Sequence, residues 1–250
     1  MLFRSQSIKA TSDNANIKQN KYNFILEFKP GAGGSIAAQS TLKDPNNTLL
    51  ANSATHIIRP LISKDSGYSI DQFMLMTIQA MDVPLLLVSK KHATFKELND
   101  TRKLNIGISA SGGITEYAAR MMITKPDTQF IGFKTGFPEM MTAILGGHLD
   151  GGIASLESAR RFLDSGSVVR LNDSSLSLYW AYFASVKMEE QRAKEIHTIL
   201  TEASNQENVR KILEPASANQ VRWSLPKLQE WYASEKVKWA NITTKYPIAP

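Results

Sequence analysis

Three observations predict an α/β fold. Short apolar runs rich in strand-forming residues alternate with stretches of helical period. Several of these runs end in loops rich in glycine and hydroxyl side chains. One run, Leu85-Leu86-Leu87-Val88, is apolar throughout, as expected of a strand covered on both faces. Taken in order, residues 22–28 read as a first strand, 30–34 as a glycine-rich turn and 35–42 as a short helix. Residues 48–53 and 84–90 give two further strands. Residues 104–109 give a fourth, which runs into Ala110-Ser111-Gly112-Gly113. The helix after it places Ile114, Tyr117, Ala118, Met121 and Met122 on one stripe. A strand over 129–133 precedes a second stripe, formed by Phe137, Met140, Met141, Ile144 and Leu145. Methionine fills gaps in cores, so these stripes are read as core faces rather than as a cofactor or peptide groove. Strand-like runs at 168–171 and 180–185 lead into a helix over 189–204, with Ala193, Ile196, Leu200 and Ala203 on one face. A long terminal helix over 225–243 carries Pro226 in its first turn, where proline is tolerated. Its buried face is expected to hold Leu225, Leu228, Tyr232, Trp239 and Ile242.

Composition narrows the possible functions. The 250 residues are 42% hydrophobic and 21% charged, enough for a substantial core and unlike a disordered chain. No apolar run reaches the roughly 20 residues of a membrane-spanning helix. There is no cysteine, which removes disulfides, thiolate metal sites, iron–sulfur clusters and a cysteine nucleophile. The net charge is +6, but lysines and arginines are scattered, so a solvated basic surface is read in preference to a nucleic-acid groove. Residues 1–20 are polar and lack the apolar core of a secretory signal.

The chemistry motifs point to binding. Pro30-Gly31-Ala32-Gly33-Gly34-Ser35 follows a strand and opens a helix, where backbone amides can cradle an anion. It does not match a dinucleotide fingerprint, because Ile36 stands where Gly or Ala is needed and no acidic residue follows at the right distance. It does not match a P-loop either, having no Gly-Lys-Ser/Thr end. Gly107-Ile108-Ser109-Ala110-Ser111 misses the nucleophile elbow at its last position. The four histidines, His56, His92, His148 and His197, lack partners at metal-ligand spacing, and no metal or cofactor is expected. In open α/β sheets, ligands bind beyond the carboxyl ends of strands. Three such ends carry small donor-rich segments: 31–35, 52–56 and 109–115. Donors without an acid–base pair suit a carboxylate or other small anion, and Lys134 would add positive charge.

These loops resemble those of the Bug family, the periplasmic substrate-binding proteins of tripartite tricarboxylate transporters. The family's RPGAGG-x-IAA element is similar to Lys29-Pro30-Gly31-Ala32-Gly33-Gly34-Ser35-Ile36-Ala37-Ala38. Its YTLL and TSGTHAINP segments resemble Asn47-Thr48-Leu49-Leu50 and Asn52-Ser53-Ala54-Thr55-His56-Ile57-Ile58-Arg59-Pro60. Its LNYASSGNGT resembles residues 104–115. Its YKG and LLGGQVD resemble Phe133-Lys134-Thr135 and Ile144-Leu145-Gly146-Gly147-His148-Leu149-Asp150. The resemblance covers residues 22–245. It implies a two-lobed periplasmic-binding-protein fold of the type II, Venus-flytrap kind. Residues 1–100 would form the first part of lobe 1, 101–178 lobe 2, and 179–250 a return to lobe 1 with the C-terminal helices. A small carboxylate would lie in the cleft between lobes and pass to the transporter's membrane permease subunits. A periplasmic, monomeric, non-enzymatic receptor is thus implied, with Ser53, Ala54, Thr55, Ser109, Ser111, Gly112, Gly113, Thr115, Lys134 and Ser155 as ligand-binding residues.

The chain also departs from the family pattern. The signal peptide, the first strand and its Pro-Gly-Gly loop are expected to be missing, since residues 1–20 correspond to the helix after that loop. Ile153-Ala154-Ser155 stands where many members have a Phe-Asp-Asn-like segment, so ligand selectivity does not transfer. Two other readings remain open at this stage. One is an α/β serine hydrolase using Ser109 or Ser111 with His56; the other is a binding lobe repurposed as a sensor or partner-docking module.

Overall fold

The computed structural model describes residues 2–133 and 136–248. The chain opens with helix α1 (Leu2–Lys18), whose buried side is small and partly polar: Ser7, Ile8, Thr11 and Ala15. The polar part is satisfied by Gln79. Ser7 Oγ donates to Gln79 Oε1 at 3.1 Å, and Gln79 Nε2 donates to the Ser7 carbonyl and to Thr11 Oγ1 at 2.8 and 2.5 Å. A turn over Ala32–Gly34 leads into α2 (Ser35–Lys43), then β1 (Leu50–Asn52), α3 (Thr55–Ile62) and the long β2 (Phe73–Ser89). Next come α4 (Phe95–Asp100), β3 (Leu104–Ile108), α5 (Ile114–Met122), β4 (Thr128–Gly132) and α6 (Phe137–Leu145). β5 (Gly151–Ser155) and α7 (Leu156–Asp164) precede a second long strand, β6 (Val169–Ser185). Helices α8 (Glu190–Ser204), α9 (Glu207–Leu213) and α10 (Leu225–Lys245) finish the chain.

Hydrogen bonding orders the strands β1-β6-β2-β5-β3-β4. β1 runs antiparallel to β6 with Leu50 opposite Phe183, and β2 antiparallel to β5 with Leu86 opposite Ala154. β3 is parallel to both β4 and β5. The chain divides into two units, one of Val83–Leu178 and one of Leu2–Asp82 joined to the chain from Tyr179 onward. The first division falls inside β2, ahead of the boundary near Asp100 expected from the sequence. The division falls at Asp82, which has a positive φ of 62° within β2.

Each unit has its own core. In the 83–178 unit, Leu86, Val88, Met140, Met141, Ile144, Leu149 and Ala154 pack together, so the methionine stripe of α6 is core. Gly152 on β5 makes this packing possible, since a Cβ there would lie 2.7 Å from Ile144 Cδ1. In the other unit, Ile8, Met76, Tyr182, Ala193, Ile196 and Leu200 form the cluster, with Tyr22, Phe24 and Leu26 against it. α10 buries Leu228, Tyr232 and Trp239 as expected, and also Glu235, while Leu225 and Ile242 are only half-buried. Among the described residues, no helix is long and apolar enough to cross a membrane.

Residues 22–28, expected as a strand, are extended but join no ladder. Tyr22, Phe24 and Leu26 turn inward, and Asn23, Ile25 and Glu27 outward, a period of two. Two amide side chains, one on the last turn of α1 and one just after it, take the place of a neighbouring strand. The Tyr22 N–H and carbonyl pair with Gln19, and those of Phe24 pair with Asn16, at 2.6–3.0 Å.

Candidate functional site

The residues expected to bind ligand fall at two strand ends, one in each unit, and at a helix cap. In the 2–82 unit, β1 ends at Asn52 and α3 begins at Thr55. Asn52 Oδ1 accepts the Ser53 N–H at 2.8 Å. The Ser53 and Ala54 carbonyls take the first N–H groups of the helix, from His56, Ile57 and Ile58 at 2.9 Å. Ser53 Oγ and Thr55 Oγ1 are 3.5 Å apart, the outer edge of a hydrogen bond, so both hydroxyls keep capacity for another partner. The glycine-rich loop is the neighbour of this strand end. A side chain at Gly34 would begin 3.0 Å from Asn52 Nδ2.

His56 is next in sequence but plays another part. It is fully buried, stacked on Tyr68 with ring centroids 5.3 Å apart and flanked by Phe73 and Phe183 at 4.5 and 4.6 Å. Neither ring nitrogen has a partner. Burial alone lowers its pKa to about 3, so it is a neutral core residue. A catalytic base needs a proton donor within hydrogen-bond reach of a ring nitrogen, and among the described residues none meets either nitrogen of His56, the Tyr68 hydroxyl going to the His56 carbonyl instead. His56 thus meets neither Ser109 nor Ser111 through a ring nitrogen in this structure.

In the 83–178 unit, the loop after β3 is occupied by its own partners. The Ser109 N–H and Oγ both meet Thr115 Oγ1, at 3.2 and 3.0 Å. Ser111 Oγ and the Gly112 N–H donate to Glu116 Oε2 at 3.0 and 2.8 Å. The Gly113 N–H bonds the Ala110 carbonyl, and the Gly113 carbonyl caps α5. Glu116 is buried, and Arg120 Nε and Nη2 grip its other oxygen at 2.9 and 2.7 Å. An internal carboxylate thus sits where a ligand carboxylate was expected. Sequence reasoning missed Glu116, although the i, i+4 pairing with Arg120 and its place in the first turn of a helix were both visible.

Ser155 ends β5 and caps α7, its Oγ accepting the Ser158 N–H at 3.3 Å. Lys134 lies outside the described residues. A further carboxylate, Asp150 at the end of the segment resembling LLGGQVD, holds the start of β5: it accepts the Asn105 N–H at 2.8 Å, and Lys91 stands 3.3 Å away.

Solved structures share this architecture from end to end. MatC from Rhodopseudomonas palustris with bound malate superposes with a TM-score of 0.78 at 17% identity, over 96% of this chain and 94% of that one. The chain shares the fold of these solved structures. R. palustris Rpa4515 with adipate gives 0.81 at 16% identity over 98% and 93%, and the periplasmic binding protein BugD gives 0.81 at 15% over 97% and 93%. No family profile and no curated protein matches the sequence. The likeness therefore rests on structure, and the identities are too low to carry residue roles across.

Proposed function

We propose that the protein is an extracytoplasmic solute receptor. It would bind a small organic carboxylate and deliver it to a transporter of the tripartite tricarboxylate type. The observation that carries this reading is the likeness, over more than nine-tenths of each chain, to proteins holding malate and adipate. Donor-rich strand ends of the kind such ligands require support it. In this reading the chain works in the periplasm without catalysing a reaction. Ser53, Ala54 and Thr55 offer the least committed donors. Ser109, Ser111, Gly112, Gly113, Thr115 and Ser155 contribute only where a ligand competes with their internal partners. Specificity would follow from the cost of leaving buried donors unpaired with a wrong ligand.

Thermal unfolding of the full chain with a carboxylate panel that includes malate and adipate tests the proposal. A ligand present at 100 times its Kd adds about 2.7 kcal/mol to stability, a rise of roughly 5–10 °C for a chain of this size. A cooperatively folding chain that no member of the panel stabilises would refute it.

A further inference from the structure

We propose that the glycine loop, the first turn of α2, Asn52 and Arg59 form an oxyanion subsite, apart from the hydroxyls of Ser53 and Thr55. Two groups with no partner point to it. Ser35, the first residue of α2, is 1% exposed, and its Oγ has no hydrogen-bond partner. Arg59 on α3 has a buried Nε that is likewise unpartnered. Buried hydroxyls and guanidinium nitrogens are rarely left in that state. The Arg59 stem lies against the loop, its Cδ 3.2 Å and its Nε 3.5 Å from the point where a Gly33 side chain would begin. The charge of Arg59 reaches the Tyr68 hydroxyl, but burial keeps that phenol neutral, and its proton is committed to the His56 carbonyl at 2.8 Å.

A third donor and the backbone complete the arrangement. Asn52 uses its Oδ1 on the Ser53 N–H and turns Nδ2 toward Gly34. Gly31, Ala32, Gly33 and Gly34 all have positive φ, at 121°, 45°, 63° and 92°. With no side chain at three of these positions, the loop stays low over Arg59 and Asn52, and residues 31–33 are exposed. The positive end of a nine-residue helix lies at the same place. One guanidinium, one amide and one hydroxyl, all donors with no carboxylate among them, suit a group with two or three oxygens and a negative charge. The shared chemistry is that of an oxyanion, from a carboxylate or from inorganic phosphate. The side-on edge of a guanidinium binds either through two oxygens.

Calorimetric titration of the full chain with acetate and, separately, with inorganic phosphate at constant ionic strength distinguishes the two sources. Saturable uptake is expected in at least one arm. Arg59→Gln should weaken it tenfold or more, Arg59→Lys less, and Ser35→Ala several-fold. Lys29→Gln removes the same charge next to the loop but outside the subsite, and should leave the uptake unchanged. Circular dichroism monitors folding, and Ser35→Ala and Arg59→Lys keep the test open should Arg59→Gln not fold. Absence of saturable uptake in both arms, or an equal loss in Lys29→Gln, overturns the proposal. Failure of malate and adipate to stabilise the chain leaves this subsite standing, because acetate and phosphate report on it directly.

Discussion

Acidification should destabilise the protein through His56. The imidazole is enclosed by Tyr68, Phe73 and Phe183 with no partner for either nitrogen, and burial lowers its pKa from 6.5 to about 3. Between those values the unfolded chain takes up a proton that the folded chain refuses. Stability therefore rises with pH across this window and is complete above pH 6.5. At about 1.4 kcal/mol per pH unit, a fall to pH 5 removes about 2 kcal/mol. That is a sizeable part of the roughly 5–15 kcal/mol that holds a typical domain. Urea denaturation at pH 7.5, 6.5, 5.5 and 5.0 measures the loss. The same series on His56→Phe, with His56→Gln as a second neutral replacement, cancels the contribution of every other titrating group. Wild type should lose about 2 kcal/mol more than either variant between pH 7.5 and 5. Equal slopes, or an imidazole resonance of His56 titrating near pH 6.5 in the folded protein, would refute this account of the buried ring.

Four further substitutions probe the framework. Glu116→Ala strands the Gly112 N–H and Arg120 inside the loop and should cost about 2–3 kcal/mol in urea denaturation. Arg120→Met should cost less, because that side chain is 34% exposed. Gln79→Leu removes three bonds that join α1 to β2. It should cost about 2 kcal/mol and show as early hydrogen exchange at residues 7–15. Gly152→Val drives a side chain into Ile144 and should cost about 1–3 kcal/mol by overpacking, read as a lower melting temperature.

Most elements were legible because their periodicity is strong. The apolar faces of α6 and α8 stand where a 3.6-residue period puts them, with Met140, Met141 and Ile144 buried on one and Ala193, Ile196, Leu200 and Ala203 on the other. β5 escaped notice because Gly151 and Gly152 weaken any strand signal. They are needed for close packing, since a Cβ on Gly151 would lie 3.0 Å from the Val88 carbonyl. Residues 168–171 and 180–185 read as separate runs because the polar stretch Asn172-Asp173-Ser174-Ser175 interrupts the apolar pattern. The backbone nevertheless continues through it as one strand. Residues 22–28 show the converse. Alternation correctly assigns which side chains turn inward, but a ladder needs a neighbouring strand, and a local pattern cannot name one. Asn16 on α1 and Gln19 just after it fill one edge, and Ile25 and Phe28 stay exposed at 82% and 68%. At the site, hydroxyl-rich loops were legible as donors, but whether a donor is already spent depends on tertiary partners such as Glu116.

That distinction leads to a ranking of the two strand ends. From sequence the segments 52–56 and 109–115 look equivalent, each small and rich in hydroxyls. In the structure, the second has committed Ser109 to Thr115, and Ser111 and Gly112 to Glu116. A ligand carboxylate arriving there would displace a buried carboxylate already neutralised by Arg120, so little net gain is available. Among the described residues, the hydroxyls of Ser53 and Thr55 meet only each other, at 3.5 Å, and a ligand oxygen accepting from both displaces only that long bond. For any carboxylate that the chain binds, Ser53→Ala with Thr55→Val should therefore raise the Kd about tenfold or more, a loss of about 1.4 kcal/mol. Ser111→Ala should change it less than threefold. A calorimetric series in which Ser111→Ala is the more damaging change would reverse the ranking. It would mean that Glu116 moves aside when ligand binds, with the 109–115 loop reading the carboxylate.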